Sequence, residues 1–186
     1  MTLQTRFTSR DLELMPDDGK RYEIIDGELF ASEHPDYYHQ RVCINVASIL
    51  EAWGREAKSG QVSGAPGVIF DDDDVAPDIV WISSARLRAA LSEDGKLHTA
   101  PELIIEVLSP GDANHRRDRE AKLKLYSRRG VDEYWIIDWQ LRRLEVYRRD
   151  RAQLKLAATL LESDEIVLPL LPAFSSPVES LFNGFT

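Results

Sequence analysis

The chain has 186 residues, 43% hydrophobic, and a net charge of −9 at pH 7, which is enough length for one domain (residues 1–186) with a real core. No apolar run approaches the roughly 18 residues of a membrane span and no signal-peptide core opens the chain, so no membrane partner and a cytoplasmic location are expected. The single cysteine, Cys43, excludes a disulfide framework or a cysteine-rich zinc site, and the acidic balance argues against a protein that coats nucleic acid nonspecifically.

In chain order, Thr8 to Pro16 predicts a short capped helix ended by proline. Tyr22–Ile25 and Glu28–Ala31, joined by Asp26-Gly27, predict a β-hairpin with a primed turn. From Asp36 to about Ala57, Val42, Val46, Ile49, Leu50 and Trp53 recur at helical spacing. One or two short strands are expected between Gln61 and Phe70. The acidic run Asp71–Asp74 reads as a connecting loop, because the ligand spacing and closing glutamate of an EF-hand are missing. Ala76 to Ile82 reads as a strand with Asp78 at its mouth, followed by a short helix over Ser84–Leu91 and a turn at Glu93-Asp94-Gly95.

Pro101 to Leu108 is nearly continuously apolar, the pattern of a strand buried on both faces. A basic helix is expected from about Asn114 to Arg129, with Gly130 suited to its C-terminal cap. Val131–Asp138 reads as a second buried strand, Arg143–Arg149 as its hairpin partner and Leu154–Leu160 as a weaker strand. Ser175–Phe182 reads as a last short helix. Strand, helix and strand around Glu106 and Trp135 imply a right-handed crossover and a central mixed sheet, hence an α/β fold.

Three charged residues are oddly placed within this pattern. Glu106 lies inside an apolar strand, where an unpaired carboxylate costs several kcal/mol by rough estimate, so a cation, a proton or a hydrogen-bond donor is expected beside it. Asp78 ends a neighbouring strand. On the basic helix, a rotation of about 100° per residue puts Lys122 between Leu125 and Tyr126, with Asp118 beside it, on the edge of the sheet-facing side. Lys124 points the other way, among Arg117, Glu120, Ser127 and Arg128. Asp, Glu and Lys converging at strand ends would make a site for a hard divalent cation and a water. The plainer readings are a strand cap for Asp78, an arginine pair for Glu106, a snorkelling Lys122 and a solvated basic helix face.

Taken together, Pro77-Asp78, Glu106-Val107-Leu108-Ser109-Pro110, Asp118-x-x-x-Lys122-x-x-x-Tyr126 and Gly130-Val131-x-Glu133-Tyr134-Trp135-x-x-Asp138 resemble the Uma-two family of restriction endonucleases. Tyr22-Glu23-x-x-Asp26-Gly27-Glu28 and His39-Gln40 extend the resemblance over most of the chain. It implies a restriction-endonuclease-like fold of the PD-(D/E)XK nuclease superfamily, with the N-terminal hairpin added. The superfamily's Glu-x-Lys would place the lysine at Leu108; the resemblance offers Lys122, migrated onto the neighbouring helix, instead.

The implied activity is metal-dependent phosphodiester hydrolysis of nucleic acid, DNA before RNA, with Mg²⁺ as cofactor and Mn²⁺ as a substitute. Asp78, Glu106, Lys122 and Glu23 are the candidate catalytic residues, and His39 is a further candidate for the site. Asp78, Glu106 and, by analogy, the Val107 carbonyl would hold the metal, and Arg116, Arg117 and Arg119 are candidates to hold phosphates. A homodimer is compatible with the sequence. A noncatalytic nucleic-acid-binding or interaction module on the same fold is the alternative, and a carboxylate-pair glycosidase is a weaker one because it has no need of Lys122.

Overall fold

The structure, a computed structural model, describes residues 6–57 and 59–185. Its centre is a six-stranded mixed sheet in the order β10-β9-β8-β7-β6-β3. The strands are β3 (Gly60–Gly64), β6 (Ile79–Ser83), β7 (Leu103–Val107), β8 (Glu133–Asp138), β9 (Arg143–Asp150) and β10 (Gln153–Leu161). β7 and β8 pair in parallel and the other neighbours are antiparallel. That single parallel pair is joined by the basic helical stretch, as a crossover connection requires. Every residue of β7 and β8 is buried, in keeping with their mostly apolar sequence, the acids Glu106, Glu133 and Asp138 included.

Alternation along the strands sorts the core into two layers. Ile79, Trp81, Leu103, Ile105, Val107, Trp135 and Ile137 face α1 (Tyr37–Ala57) through its Val42, Val46 and Leu50, together with Leu171, Phe174, Val178 and Phe182 near the C-terminus. Val80, Ile82, Ile104, Tyr134 and Ile136 face the opposite layer, which includes Leu125 and Tyr126. Glu106 belongs by parity to this second face.

The second layer also holds a small antiparallel sheet in the order β2-β1-β5-β4: β1 (Arg21–Ile25), β2 (Glu28–Ser32), β4 (Val68–Phe70) and β5 (Asp73–Val75). Asp26 and Gly27 both take positive φ, 54° and 80°, which is the primed turn expected of Asp-Gly in a hairpin. The acidic run departs from the expected loop. Only Asp71 and Asp72 turn, while Asp73 and Asp74 enter β5 and are buried. Their charges are met there: Arg129 donates to Asp73, whose other oxygen accepts the Asp26 N–H, and Ser9 and Lys96 donate to Asp74.

The remaining elements follow the sequence closely, with three differences. The N-terminal helix is a 3₁₀ turn over Ser9–Leu14, and α2 spans Ser84–Ala90 with Ser83 as its cap. Ser175–Phe182 is not one helix. β12 (Ser175–Pro177) pairs with β11 (Glu165–Val167), and a 3₁₀ turn, Val178–Phe182, follows; Pro177 and a two-strand pairing outside its own window override the local signal. The basic stretch is continuous but not uniform: α3 (Asp112–Arg116), a π-helical segment (Arg117–Lys122) and α4 (Leu123–Arg129), closed by Gly130 at φ 87°. No helix among the described residues is long and apolar enough to cross a membrane.

Candidate active site

The candidate residues come together at one end of the central sheet. β6 and β7 run antiparallel with Ile79 opposite Ile105. Carrying that register one residue further sets Asp78 across from Glu106, and directly opposed residues of an antiparallel pair share a face. The Val107 N–H donates to Asp78 Oδ2 at 2.9 Å and ties the two strand ends together. From the other layer, α1 brings His39, whose Nε2 lies 3.2 Å from the same Oδ2. Asp36 accepts the His39 N–H at 2.8 Å and so caps the helix, which holds the histidine in its first turn. Arg21, on β1, lies 3.4 Å from Asp78 Oδ1 and also donates to the Ala76 carbonyl.

Lys122 meets Glu106 from the neighbouring helix. Its Nζ is 2.8 Å from Glu106 Oε1 and 3.0 Å from Glu23 Oε1, and the lysine is 1% exposed. Glu23, carried in by β1, also accepts the Ala76 N–H at 3.0 Å. Lys124, two residues on, is exposed and pairs with Asp26. Leu108, where Glu-x-Lys would have its lysine, is packed in the apolar layer with Ile104 and Leu125.

The sequence placed Arg117 on the outer side with Lys124, and here the structure corrects it. Arg117 is buried, donates from Nε to Asp118 at 2.9 Å and approaches Glu23 at 3.9 Å. The π-helical segment is the reason. Five residues of α-helix rotate about 500°, leaving Arg117 and Lys122 well apart, but the wider π-turn, with its i→i+5 hydrogen bond, winds less per residue and brings the two toward one face. Arg117 therefore joins the buried cluster while still lining the edge of a surface cleft beside Arg116. Arg119 pairs with Glu145 at 2.9 Å, so of the three arginines Arg116 alone is exposed, with no ion pair among the described residues. Arg128 and Arg129 are paired with Asp26, Asp71 and Asp73.

Several neighbours are absent from the sequence candidates. The Tyr126 hydroxyl donates to Glu106 Oε1 at 3.0 Å, although Tyr126 was not among the candidate catalytic residues. Asp118, Lys122 and Tyr126, four residues apart in the motif read from the sequence, all reach this cluster. Arg21 alternates with Glu23 on its strand, so the two side chains share a face. Cys43, one turn beyond His39, has its Sγ 3.7 Å from His39 Nδ1.

Charge and burial set the protonation preferences. Burial pushes Glu106 up to about 8; Lys122 opposes this, and the nearby Asp78, Asp118 and Glu23 charges add to it. Asp78 goes the other way: burial alone would raise it, but the His39 hydrogen bond and charge, Lys122 and the Val107 N–H outweigh burial and hold it below the usual carboxylate range. Lys122 is raised because the Glu106, Glu23 and Asp118 charges overcome its desolvation. Desolvation raises the Cys43 thiol, with help from Asp78 and Glu106.

A hard divalent cation fits these residues. Four buried acids, Glu23, Asp78, Glu106 and Asp118, gather around Arg117 and Lys122, so oxygen donors are plentiful. Both hydrogen bonds to Glu106 end on Oε1, leaving Oε2 without one among the described residues. Asp78, Glu106 and the Val107 carbonyl could hold such an ion through oxygen.

Among known proteins, the crystal structure of a "putative nuclease belonging to DUF820" from Anabaena variabilis is similar, with a TM-score of 0.75 and 17% identity, over 95% of this chain and 97% of that one. At that identity the likeness speaks for the fold. A search of curated proteins returns no match. The Uma2 family model, described as "Putative restriction endonuclease", matches residues 9–179. With that span covered, the chain belongs to the Uma2 family.

Proposed function

We propose that this chain is a metal-dependent endonuclease of the PD-(D/E)XK kind, acting as one unit over its whole length and hydrolysing phosphodiester bonds in DNA. The observation that carries this reading is the 2.8 Å approach of Lys122 to Glu106: the lysine missing from the strand arrives from the helix. Asp78, Glu106 and the Val107 carbonyl would hold Mg²⁺, or Mn²⁺ in its place. When bound, the cation lowers the pKa of a coordinated water and offsets charge on the phosphate. Lys122 holds Glu106 in place and presents an ammonium where negative charge develops in the transition state. Glu23 and Asp118 fix the position of that ammonium, and Tyr126 orients Glu106. His39 holds Asp78 Oδ2. Arg116, beside a cleft of about 510 Å³ also lined by Phe30, Arg117 and Lys124, offers charge for the nucleic-acid backbone.

The noncatalytic module remains a second reading, favoured by one observation: Lys122 is fully buried and shared between two carboxylates, as a structural ion pair would be. Single-turnover cleavage of plasmid, linear and single-stranded substrates with Mg²⁺ or Mn²⁺ separates the two. Lys122→Ala, assayed after its fold is verified, is expected to abolish cleavage, and Lys124→Ala to leave it largely intact. Equal, salt-dependent losses would make the helix a docking surface, since steering acts over a Debye length of about 8 Å and proton-scale chemistry does not. No cleavage by the unmodified protein on any substrate would favour the module.

A further inference from the structure

His39 and Cys43 stand one turn apart on α1, so both side chains leave the same helix face. Asp78 meets them from the mouth of β6. Among the described residues these three form a group whose ligand atoms all lie within 4.8 Å of one another; Glu106 is outside it. His39 and Asp78 are buried, whereas Cys43 is only partly so and lines a cleft of about 220 Å³ with Arg21, Gln40, Ile44 and Asp78. The trio is therefore reachable from that cleft through Cys43 and Asp78.

This donor set differs in kind from the oxygen ligands of Asp78, Glu106 and Val107. The thiol and the imidazole are ligands that Zn²⁺ and Co²⁺ take and that Mg²⁺ avoids, and the carboxylate serves either kind of ion. A tetrahedral site with bonds of about 2.0–2.3 Å separates its ligand atoms by roughly 3.3–3.8 Å. Nε2 and Asp78 Oδ2, at 3.2 Å, are already near that spacing. Nδ1, and not Nε2, faces the sulfur at 3.7 Å, so an ion bound through Nε2 requires the Cys43 side chain or the imidazole to reorient. Arg21, part-exposed, lies 3.4 Å from Asp78 Oδ1 and also donates to the Ala76 carbonyl, so it must give up the Asp78 contact as the cation enters.

We propose that His39, Cys43 and Asp78 form a second cation site, selective for thiophilic divalent ions such as Zn²⁺ and exclusive with the oxygen-ligand site because both use Asp78. The thiol proton leaves to solvent as the sulfur–metal bond forms. Binding at the trio stands on its own geometry; the mutual exclusion rests on the nuclease reading above.

Titration of the metal-free full-length protein with Co²⁺, followed by absorbance, tests the site directly. One equivalent is expected to give tetrahedral visible bands and a thiolate-to-cobalt charge-transfer band in the near ultraviolet. Cys43→Ser is expected to lose the charge-transfer band and to weaken Zn²⁺ binding, measured against a competing chelator, by more than about a hundredfold, since even outer-shell changes typically cost about ten- to a hundredfold. Its Mg²⁺ titration should be unchanged. Thermal melts check folding, and Cys43→Val takes the place of Cys43→Ser if the serine variant is destabilised. Absence of the charge-transfer band, or equal Zn²⁺ affinity in the cysteine variant, would overturn the site. In the cleavage assay, Zn²⁺ should suppress Mg²⁺-driven turnover in the wild type and not in the cysteine variant. A protein that shows the cobalt band but cleaves nothing supports this site and counts against the nuclease reading alone.

Discussion

At the scale of the residue, Glu106 is a strand carboxylate that the fold holds in apolar surroundings beside three other acids. Burial raises it to about 8. Such a group contributes stability that is fully present below its unfolded pKa, about 4.5, and is lost as pH rises through the folded value. Without metal, the wild type should therefore lose stability progressively from about pH 4.5 to 8. Glu106→Gln keeps the shape of the protonated form and is expected to remove that part of the slope, so that its melting temperature matches the wild type near pH 5 and exceeds it near pH 9. Mg²⁺ affinity measured by calorimetry should drop about tenfold or more, because a hard cation loses a charged oxygen. An unchanged affinity with a collapsed melting temperature would make Glu106 a structural ion-pair partner instead.

At the scale of the element, the π-helical segment gives the arginines different jobs. Arg117 is turned into the cluster against Asp118 and Glu23, while Arg116 remains on the surface. Removing one partner from a buried charge network typically costs about 3–5 kcal/mol, so Arg117→Ala is expected to lower unfolding stability on that scale in urea titrations. Arg116→Ala should change stability by less than about 0.5 kcal/mol. It should instead weaken DNA binding similarly on all sequences and flatten the plot of log K against log salt by about 0.9, the contribution of one phosphate contact. The reverse pattern would mean that the segment is an ordinary α-helix in solution. The hydroxyl of Tyr134 donates to the Asp118 carbonyl inside the segment, one of the contacts that pins the irregularity in place.

At the scale of the whole molecule, the small sheet and the basic helix are joined by the acidic run. Asp73, buried in β5, links Arg129 of α4 and the Asp26 N–H of the hairpin turn, whereas Asp72 is exposed beside it. Asp73→Asn is expected to cost about 1–3 kcal/mol, because it weakens a charge-assisted contact and leaves buried donors poorly met. Asp72→Asn should fall within about 0.5 kcal/mol of the wild type. Urea denaturation of both variants checks the contrast. Similar losses from both would mean that general charge, and not the buried position, holds the two elements together.

Much of this architecture was legible in the amino-acid order. Nearly continuous apolar runs marked β7 and β8 as central strands, Asp-Gly announced the hairpin turn, Gly130 closed the helix, and a glutamate inside an apolar strand marked Glu106 for a partner. Those signals are local: period, turn chemistry and the cost of burying charge act over a few residues. Three results needed the tertiary structure. Asp73 and Asp74 became strand residues because the arginine and lysine that neutralise them lie far along the chain. Arg117 turned inward because the helix changed pitch, which no fixed rotation per residue can foresee. Asp78 joined His39 and Cys43, neighbours on one helix face, because the start of α1 and the mouth of β6 meet at one end of the same sheet. The order of residues determined which chemistry was present; long-range packing decided which groups meet, since distance and desolvation act between side chains that only the fold makes neighbours.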